Sequence, residues 1–340
     1  PEAIRQLARG LAAADAGCLY ARIGTCTQAY GTLASWLVDV INTLCGHLDA
    51  PGGAMFARAA AFAQNTQGRP GLGRGISTGR HRSRVSGAPE VYGELPITCL
   101  AEEIETPGEG QVRALITCAT NPVLSSPGGP RLAQALSTLD FMVSVDIYLN
   151  ETTRHADVIL PGLSALEEAH YDVAFPQLSH RNHARYSLPV FDAPAGHPPE
   201  WQTLLRLTAI VTGRGADADV LALDDEWLDG ELKRLAGDDA PALRAALGPS
   251  QGPQRLLDIA LRSGPYGDQF GRQPGGLNLA TLAQTPGGID LGPLQPRLPE
   301  LLRTPSGAVE LAPPELLADM ARARAALEPA PGHAAPAEAT

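Results

Sequence analysis

The chain has 340 residues, 44% hydrophobic and 19% charged, with a formal net charge of −11. That apolar content excludes wholesale disorder, and that length exceeds one average domain. The acidic balance excludes a general nucleic-acid binder, whose phosphate contacts need a basic face. Gly 36 and Pro 30 predict many loops, without the fixed period of collagen. The five cysteines, Cys18, Cys26, Cys45, Cys99 and Cys118, show no close pair of the zinc or iron–sulfur kind. They predict buried free thiols in a reducing, cytoplasmic compartment. No apolar run reaches the roughly 18 residues of a membrane helix. The chain begins at Pro1 without a secretory leader and reads as a piece of something longer.

In chain order, residues 1–53 predict helix, strand, turn and helix. Ile4, Leu7, Ala8 and Leu11 recur at helical spacing, and Cys18 to Ala21 suits a short buried strand. Ile23 to Gln28 follows as a turn. From Thr32, Leu33, Trp36, Leu37, Val40, Ile41 and Leu44 form one helical stripe, with Gly46 as its stop. Residues 58–108 predict a Gly/Arg-rich connector. Arg69, Arg74, Arg80, Arg82 and Arg84 are interleaved there with glycines, which fits a solvated loop or, alternatively, an anion-contacting one.

Residues 109–215 predict a second domain. Val112 to Cys118 reads as a buried strand ending at Ala119-Thr120-Asn121-Pro122, and Leu132, Ala133, Leu136 and Leu139 mark a helix. Phe141 to Val145 is a second strand ending at Asp146, and Ala156 to Pro161 a third. Strand–helix–strand of this size predicts a parallel sheet, whose ligands sit outside the carboxyl ends of the strands. Asn121 and Asp146 fall at two such ends, and the oxygen-rich turn Asn150-Glu151-Thr152-Thr153 follows Asp146 toward the third strand. A carboxylate there suits the N1 and amine of a guanine or a ribose hydroxyl. The competing reading is that Asp146 caps a turn and Asn121 is ordinary loop chemistry before proline.

Trp201 to Val211 predicts an amphipathic helix, and residues 216–328 a helical and loop extension, with surface helices over 214–250 and another amphipathic helix at Leu256 to Leu261. Residues 329–340 read as a disordered tail. His180 and His183 are spaced like a ligand pair on one helical face, but nothing near them completes a metal site, which favours a surface role. Ser164 and Ser179 lack a Gly-x-Ser-x-Gly elbow, which argues against a hydrolase.

The stretch CATNPVLSSPGG followed by DFMVSVDIYLNETTRHADVILPGLSALEE resembles the molybdopterin oxidoreductase superfamily of formate dehydrogenases, nitrate reductases and dimethyl sulfoxide reductases. ARIGTCTQAYGTLASWLVDVINTLCGHLDAPGGAMF, EWQTLLRLTAIVTG and RTPSGAVEL are similar to further segments of that family, in the same order. The resemblance implies an α/β fold: Rossmann-like parallel sheet units with helices on both faces, in incomplete parts of two dinucleotide-binding domains. Residues 1–57 would close one domain and 109–215 form the second half of the other.

The resemblance also implies a cofactor, molybdopterin guanine dinucleotide carrying molybdenum or tungsten, with a 4Fe-4S cluster in an amino-terminal part beyond this chain. The implied dinucleotide contacts are Thr27, Gln28, Thr120, Asn121, Val145, Asp146 and Glu168. Arg74, of Arg74-Gly75, is similar to an arginine that some formate dehydrogenases hold near the metal. The implied partners are a small substrate, formate before nitrate, and a redox protein or carrier. The region that would ligate the metal has no counterpart here, so the isolated chain is expected to be inactive. A non-enzymatic nucleotide-binding or interaction module is the alternative from another class, since fold does not fix function.

Overall fold

The computed structural model describes residues 2–62 and 78–327. Of these, 2–62, 173–184 and 290–327 form one compact unit, and 78–172 with 185–289 form a second.

The chain opens with α1 (Glu2–Ala13), which has the predicted helical spacing but buries none of its residues. Cys18 to Ala21, expected as a buried strand, forms no strand among the described residues. A ladder needs a neighbouring backbone, and here a side chain substitutes for one. Asn42 Oδ1 accepts the Leu19 N–H while Asn42 Nδ2 donates to the Leu19 carbonyl, both at 2.9 Å. That pairing accounts for an asparagine only 1% exposed.

After α2 (Ile23–Cys26), α3 runs over Gly31–Leu44. A Cβ at Gly31 would lie 2.4 Å from the Cys26 carbonyl oxygen, so only glycine fits that turn. Gly46, at a φ of 77°, provides the predicted stop. The predicted stripe is only partly covered: Leu33 is buried, whereas Leu37, Ile41 and Leu44 are exposed.

The second unit begins with an antiparallel hairpin, β1 (Thr78–Arg82) and β2 (Pro89–Val91), followed by α4 (Leu100–Glu105). The Gly/Arg-rich run therefore ends in regular structure instead of continuing as an irregular connector. Its described arginines, Arg80, Arg82 and Arg84, make internal contacts. Arg80 donates to the buried Glu90 through Nε at 3.1 Å and Nη2 at 2.5 Å. Arg82 reaches the Gly87 carbonyl at 2.8 Å, and Arg84 reaches Glu103 at 3.2 Å and the Thr106 carbonyl at 2.7 Å.

Next come β3 (Ala114–Cys118), α5 (Pro122–Ser125), α6 (Gly129–Leu136), β4 (Phe141–Val145) and β5 (Val158–Leu160). The three strands form a parallel sheet in the order β3-β4-β5, in register from Ala114↔Phe141 to Cys118↔Val145 and from Val143↔Val158 to Val145↔Leu160. This is the α/β arrangement the sequence predicts. Met142 points from β4 into a core with Ile104 of α4 and with Leu132, Ala135 and Leu136 of α6. On the central strand, Ser144 pairs with Thr117 of β3 at 2.8 Å, so both buried hydroxyls are satisfied.

β6 (His170–Tyr171) pairs antiparallel with β8 (Tyr186–Ser187), while β7 (Arg181–Ala184) belongs to the first unit. His183 lies on β7 and His180 just before it, both exposed, so the helical face expected of them is absent. Strand alternation buries Asn182 and Ala184 and turns Arg181 and His183 outward.

The remaining helices of the second unit are α7 (Glu200–Val211), α8 (Val220–Ala236), α9 (Ala240–Ala246), α10 (Gly252–Ser263) and α11 (Leu279–Ala283). The helices expected to lie on the surface over 214–250 instead build a second core, with Leu228, Leu232, Leu243 and Ile259 buried together. β9 (Ile289–Pro293) pairs with β7, and α12 (Pro314–Leu327) packs on α3 within the first unit. No helix among the described residues is long and apolar enough to cross a membrane.

Candidate functional site at the strand ends

The carboxyl ends of β3, β4 and β5 open into one crevice of about 470 Å³, within the range of small-molecule pockets. Its walls are residues 119–121 after β3, Val145 at the end of β4 with residues 146–148 and Asn150 after it, Gly162 and Leu163 after β5, and Glu200 at the start of α7. Parallel pairing puts all three strand ends on one side, which is why these separate loops converge.

The turn after β4 is built by its own side chains. The Asp146 N–H donates to the Leu160 carbonyl at 3.2 Å, carrying the ladder one residue past the strand. Asp146 Oδ1 accepts the Tyr148 N–H at 2.9 Å, and Oδ2 accepts from Asn150 Nδ2 at 3.3 Å. Asn150 Oδ1 accepts the N–H groups of Thr152 and Thr153, each at 2.9 Å. Thr153 Oγ1 donates to the Tyr148 carbonyl at 2.8 Å, and Thr152 and Thr153 are fully buried. The oxygen-rich turn thus supplies the hydrogen bonds that its irregular backbone cannot make with itself.

Asn121 is the joint between the β3 and β4 loops. Its Nδ2 donates to Glu151 Oε2 at 2.7 Å, and its Oδ1 accepts from Thr152 Oγ1 at 2.7 Å. That donation holds the Glu151 carboxyl below its ordinary value, with help from the Glu151 backbone N–H and the charge of Arg154. Between β3 and Asn121, Ala119 sits at a φ of 46°, in the left-handed region that disfavours a Cβ. Such strain costs of order 1 kcal/mol and gathers at ligand-binding walls.

Thr120, Asn121, Val145 and Asp146, the strand-end residues singled out in the sequence, therefore line one crevice. Glu168 stands one step back: its Oε1 accepts the Glu200 N–H at 3.2 Å, satisfying an orphan donor of the first turn of α7. Thr27 and Gln28 are exposed residues of the first unit, and the Thr27 hydroxyl donates to the Ile23 carbonyl at 3.2 Å. Arg74 lies outside the described residues. No cluster of three or more His, Cys, Asp or Glu side chains suited to a metal ion occurs among the described residues.

Tyr148, Asn150 and Glu200 line the crevice without having been named as contacts, Asn150 only as part of the oxygen-rich turn. Tyr148 and Asn150 carried a local signal, since an aspartate at a strand end commonly closes a turn onto the residue two ahead. Glu200 carried none beyond an acidic first turn, which marks a helix start and not a pocket. The expectation of buried thiols also needs correction. All five cysteines are free, but only Cys99 is buried, while Cys18, Cys26 and Cys118 are exposed. Partial burial, reinforced by the nearby Glu200 carboxylate, raises the Cys118 thiol above its ordinary value.

A parallel sheet with its loops gathered into a crevice at the strand ends defines an α/β unit of the open-sheet class. The chain belongs to the molybdopterin oxidoreductase family, whose family model matches residues 24–208. It is 31% identical over 179 residues to the assimilatory nitrate reductase catalytic subunit of Bacillus subtilis, covering 48% of this chain and 25% of that protein. It is 34% identical over 87 residues to the F420-dependent formate dehydrogenase 1 subunit alpha of Methanococcus maripaludis, covering 23% of this chain and 13% of that protein. A nitrate reductase of Symbiobacterium thermophilum is 27% identical over 149 residues, covering 38% of this chain and 19% of its own. The chain thus spans a quarter or less of the length of these relatives.

Proposed function

We propose that this chain is part of a molybdenum or tungsten oxidoreductase and that its strand-end crevice holds the guanosine end of a molybdopterin guanine dinucleotide. The observation that carries the reading is the unfilled capacity of Asp146. An ionised carboxylate offers about four acceptor sites. The N–H of Tyr148 and the amide of Asn150 take two. Two remain, the number that the N1–H and exocyclic amine of a guanine require.

The sign of the crevice supports the same end of the dinucleotide. Among the described residues its lining includes the carboxylates Asp146 and Glu200 and no lysine or arginine. A diphosphate is disfavoured in such a site, whereas a base and a ribose, both hydrogen-bond donors, are suited to it. Thr120 and the second amide hydrogen of Asn121 face the ribose in this reading, while Glu168 acts by holding the start of α7. Thr27 and Gln28 remain proposed contacts of a dinucleotide at the first unit, and Arg74 a proposed neighbour of the metal. Bound molybdenum or tungsten supplies two-electron exchange with a small substrate, and the chain's own residues orient the nucleotide that anchors it.

For the substrate we favour formate, on the resemblance of the sequence to formate dehydrogenases. Nitrate is the second reading, carried by the 31% identity to an assimilatory nitrate reductase. A 4Fe-4S cluster and a redox partner belong to the proposed whole enzyme. A cytoplasmic location is supported by five thiols with no disulfide among them. The test is metal analysis of the complete enzyme expressed in a molybdenum-competent host, with formate oxidation and nitrate reduction assayed side by side. Stoichiometric molybdenum or tungsten with turnover of one substrate is the expected result. An enzyme that folds and carries neither metal overturns the reading.

A further inference from the structure

We propose that Tyr148 is the stacking wall of the crevice, setting how firmly a planar base is held while Asp146 sets which base. The inference rests on the reading of the crevice as a nucleotide site. Tyr148 is the one aromatic residue that lines the crevice among the described residues, and it is 68% exposed. Tyrosine rings usually bury much of their area on folding, so a ring left open beside a binding cleft has its face available to a ligand.

The ring is open, but its backbone is clamped. The Tyr148 N–H donates to Asp146 Oδ1 at 2.9 Å, and its carbonyl accepts from the buried Thr153 Oγ1 at 2.8 Å. One hydrogen bond therefore fixes the distance between the carboxylate and the residue that bears the ring. A carboxylate reads a base at its edge, in the plane of the ring system, and an aromatic side chain covers its face. The two roles are separable, because every base presents a π-face but only guanine presents two adjacent donors to a carboxylate.

The separation gives the test. The affinities of GDP and ADP for the full chain are measured by calorimetry for the unaltered protein and for Tyr148→Ala, Tyr148→Phe and Asp146→Asn. Tyr148→Ala is expected to weaken both nucleotides by the same factor, roughly ten-fold or more on the scale of base–aromatic stacking. Tyr148→Phe keeps the face and is expected to restore affinity to within about two-fold. Asp146→Asn is expected to abolish the preference for GDP over ADP. The melting temperature of Tyr148→Ala should stay unchanged, as for a surface position; a fall would mark a structural residue and overturn the inference. Full GDP affinity in Tyr148→Ala, or failure of Tyr148→Phe to rescue, also overturns it, while a GDP preference in the unaltered chain leaves the crevice reading standing. No nucleotide binding by the unaltered chain overturns both.

Discussion

Asp146 after β4 and Asp268 after α10 begin the same local motif, an aspartate whose Oδ1 accepts the N–H of an aromatic residue two positions on. The distances are 2.9 Å to Tyr148 and 3.0 Å to Phe270. The surroundings then diverge. Asp268 Oδ2 also accepts from Arg262 Nη1 at 2.9 Å and from Asn278 Nδ2 at 3.2 Å, and Phe270 packs against the core of α8, α9 and α10. Asp146 draws its two partners from its own turn, and Tyr148 stays exposed. The protein completes one motif and leaves the other open. A carboxylate whose acceptor sites are filled from inside contributes stability, and one with sites to spare at a crevice is available for binding.

The largest expected effect lies on the completed side. Arg262 also donates to Asp258 at 2.9 Å, and each of these aspartate side chains is only 10% exposed. Arg262→Ala leaves two buried carboxylates without their cation and should cost about 3–5 kcal/mol of unfolding free energy. Urea denaturation measures that loss, and GDP affinity below the melting transition should be unchanged. If that affinity falls with stability, the two regions are not independent and the contrast fails.

On the open side the prediction reverses. Asp146→Ala should lower guanine nucleotide affinity by about 1.5–3 kcal/mol, the range for hydrogen bonds to a charged group. Its melting temperature should barely move, because the side chain packs no core and the turn keeps the hydrogen bonds of Thr153. Parallel calorimetry and thermal melts separate the two quantities.

Acid sharpens the contrast at a third carboxylate. Hydrogen bonding to Arg80 is the main reason that Glu90 is held from an ordinary 4.5 down to about 2, with the Gly93 and Arg80 backbone N–H groups adding to it. A lowered folded-state value means the ionised form is favoured on folding. Its contribution is therefore complete above pH 4.5 and is lost as pH falls toward 2. Denaturation midpoints measured across that window should drop in the unaltered chain and drop less in Glu90→Gln.

The smallest effect is expected at Arg181–Asp290, a pair at 2.7 Å whose side chains are 48% and 59% exposed. Arg181→Ala should leave the urea midpoint nearly unchanged despite the bidentate geometry, because solvent screens an exposed pair. A larger loss in urea denaturation would show that this pair holds β7 against β9.

The open site was legible in the sequence because parallel strands are continuous apolar runs whose ends can be counted. Phe141 to Val145 matches β4 residue for residue, which locates Asp146 at the crevice. What escaped was whatever depends on a distant partner. The β1–β2 hairpin is fixed by Arg80 and Glu90, ten residues apart across a run that looks like a loop. The Cys18 to Ala21 segment is satisfied by Asn42, 23 residues away from Leu19, and not by a strand. Glu200 reaches the crevice through the tertiary placement of α7, which no local pattern encodes. The helices of 220–263 look amphipathic and acidic singly, and their shared core appears only when they pack.

The most direct measurement is the guanine dinucleotide content per folded molecule of the complete enzyme, compared between the unaltered protein and Asp146→Ala with melting temperatures alongside. A sharp loss of bound dinucleotide with melting nearly preserved is the expected result. Full occupancy in Asp146→Ala would show that the carboxylate only closes its turn, and collapse of melting before any loss of cofactor would show that it holds the fold; either result contradicts the binding role.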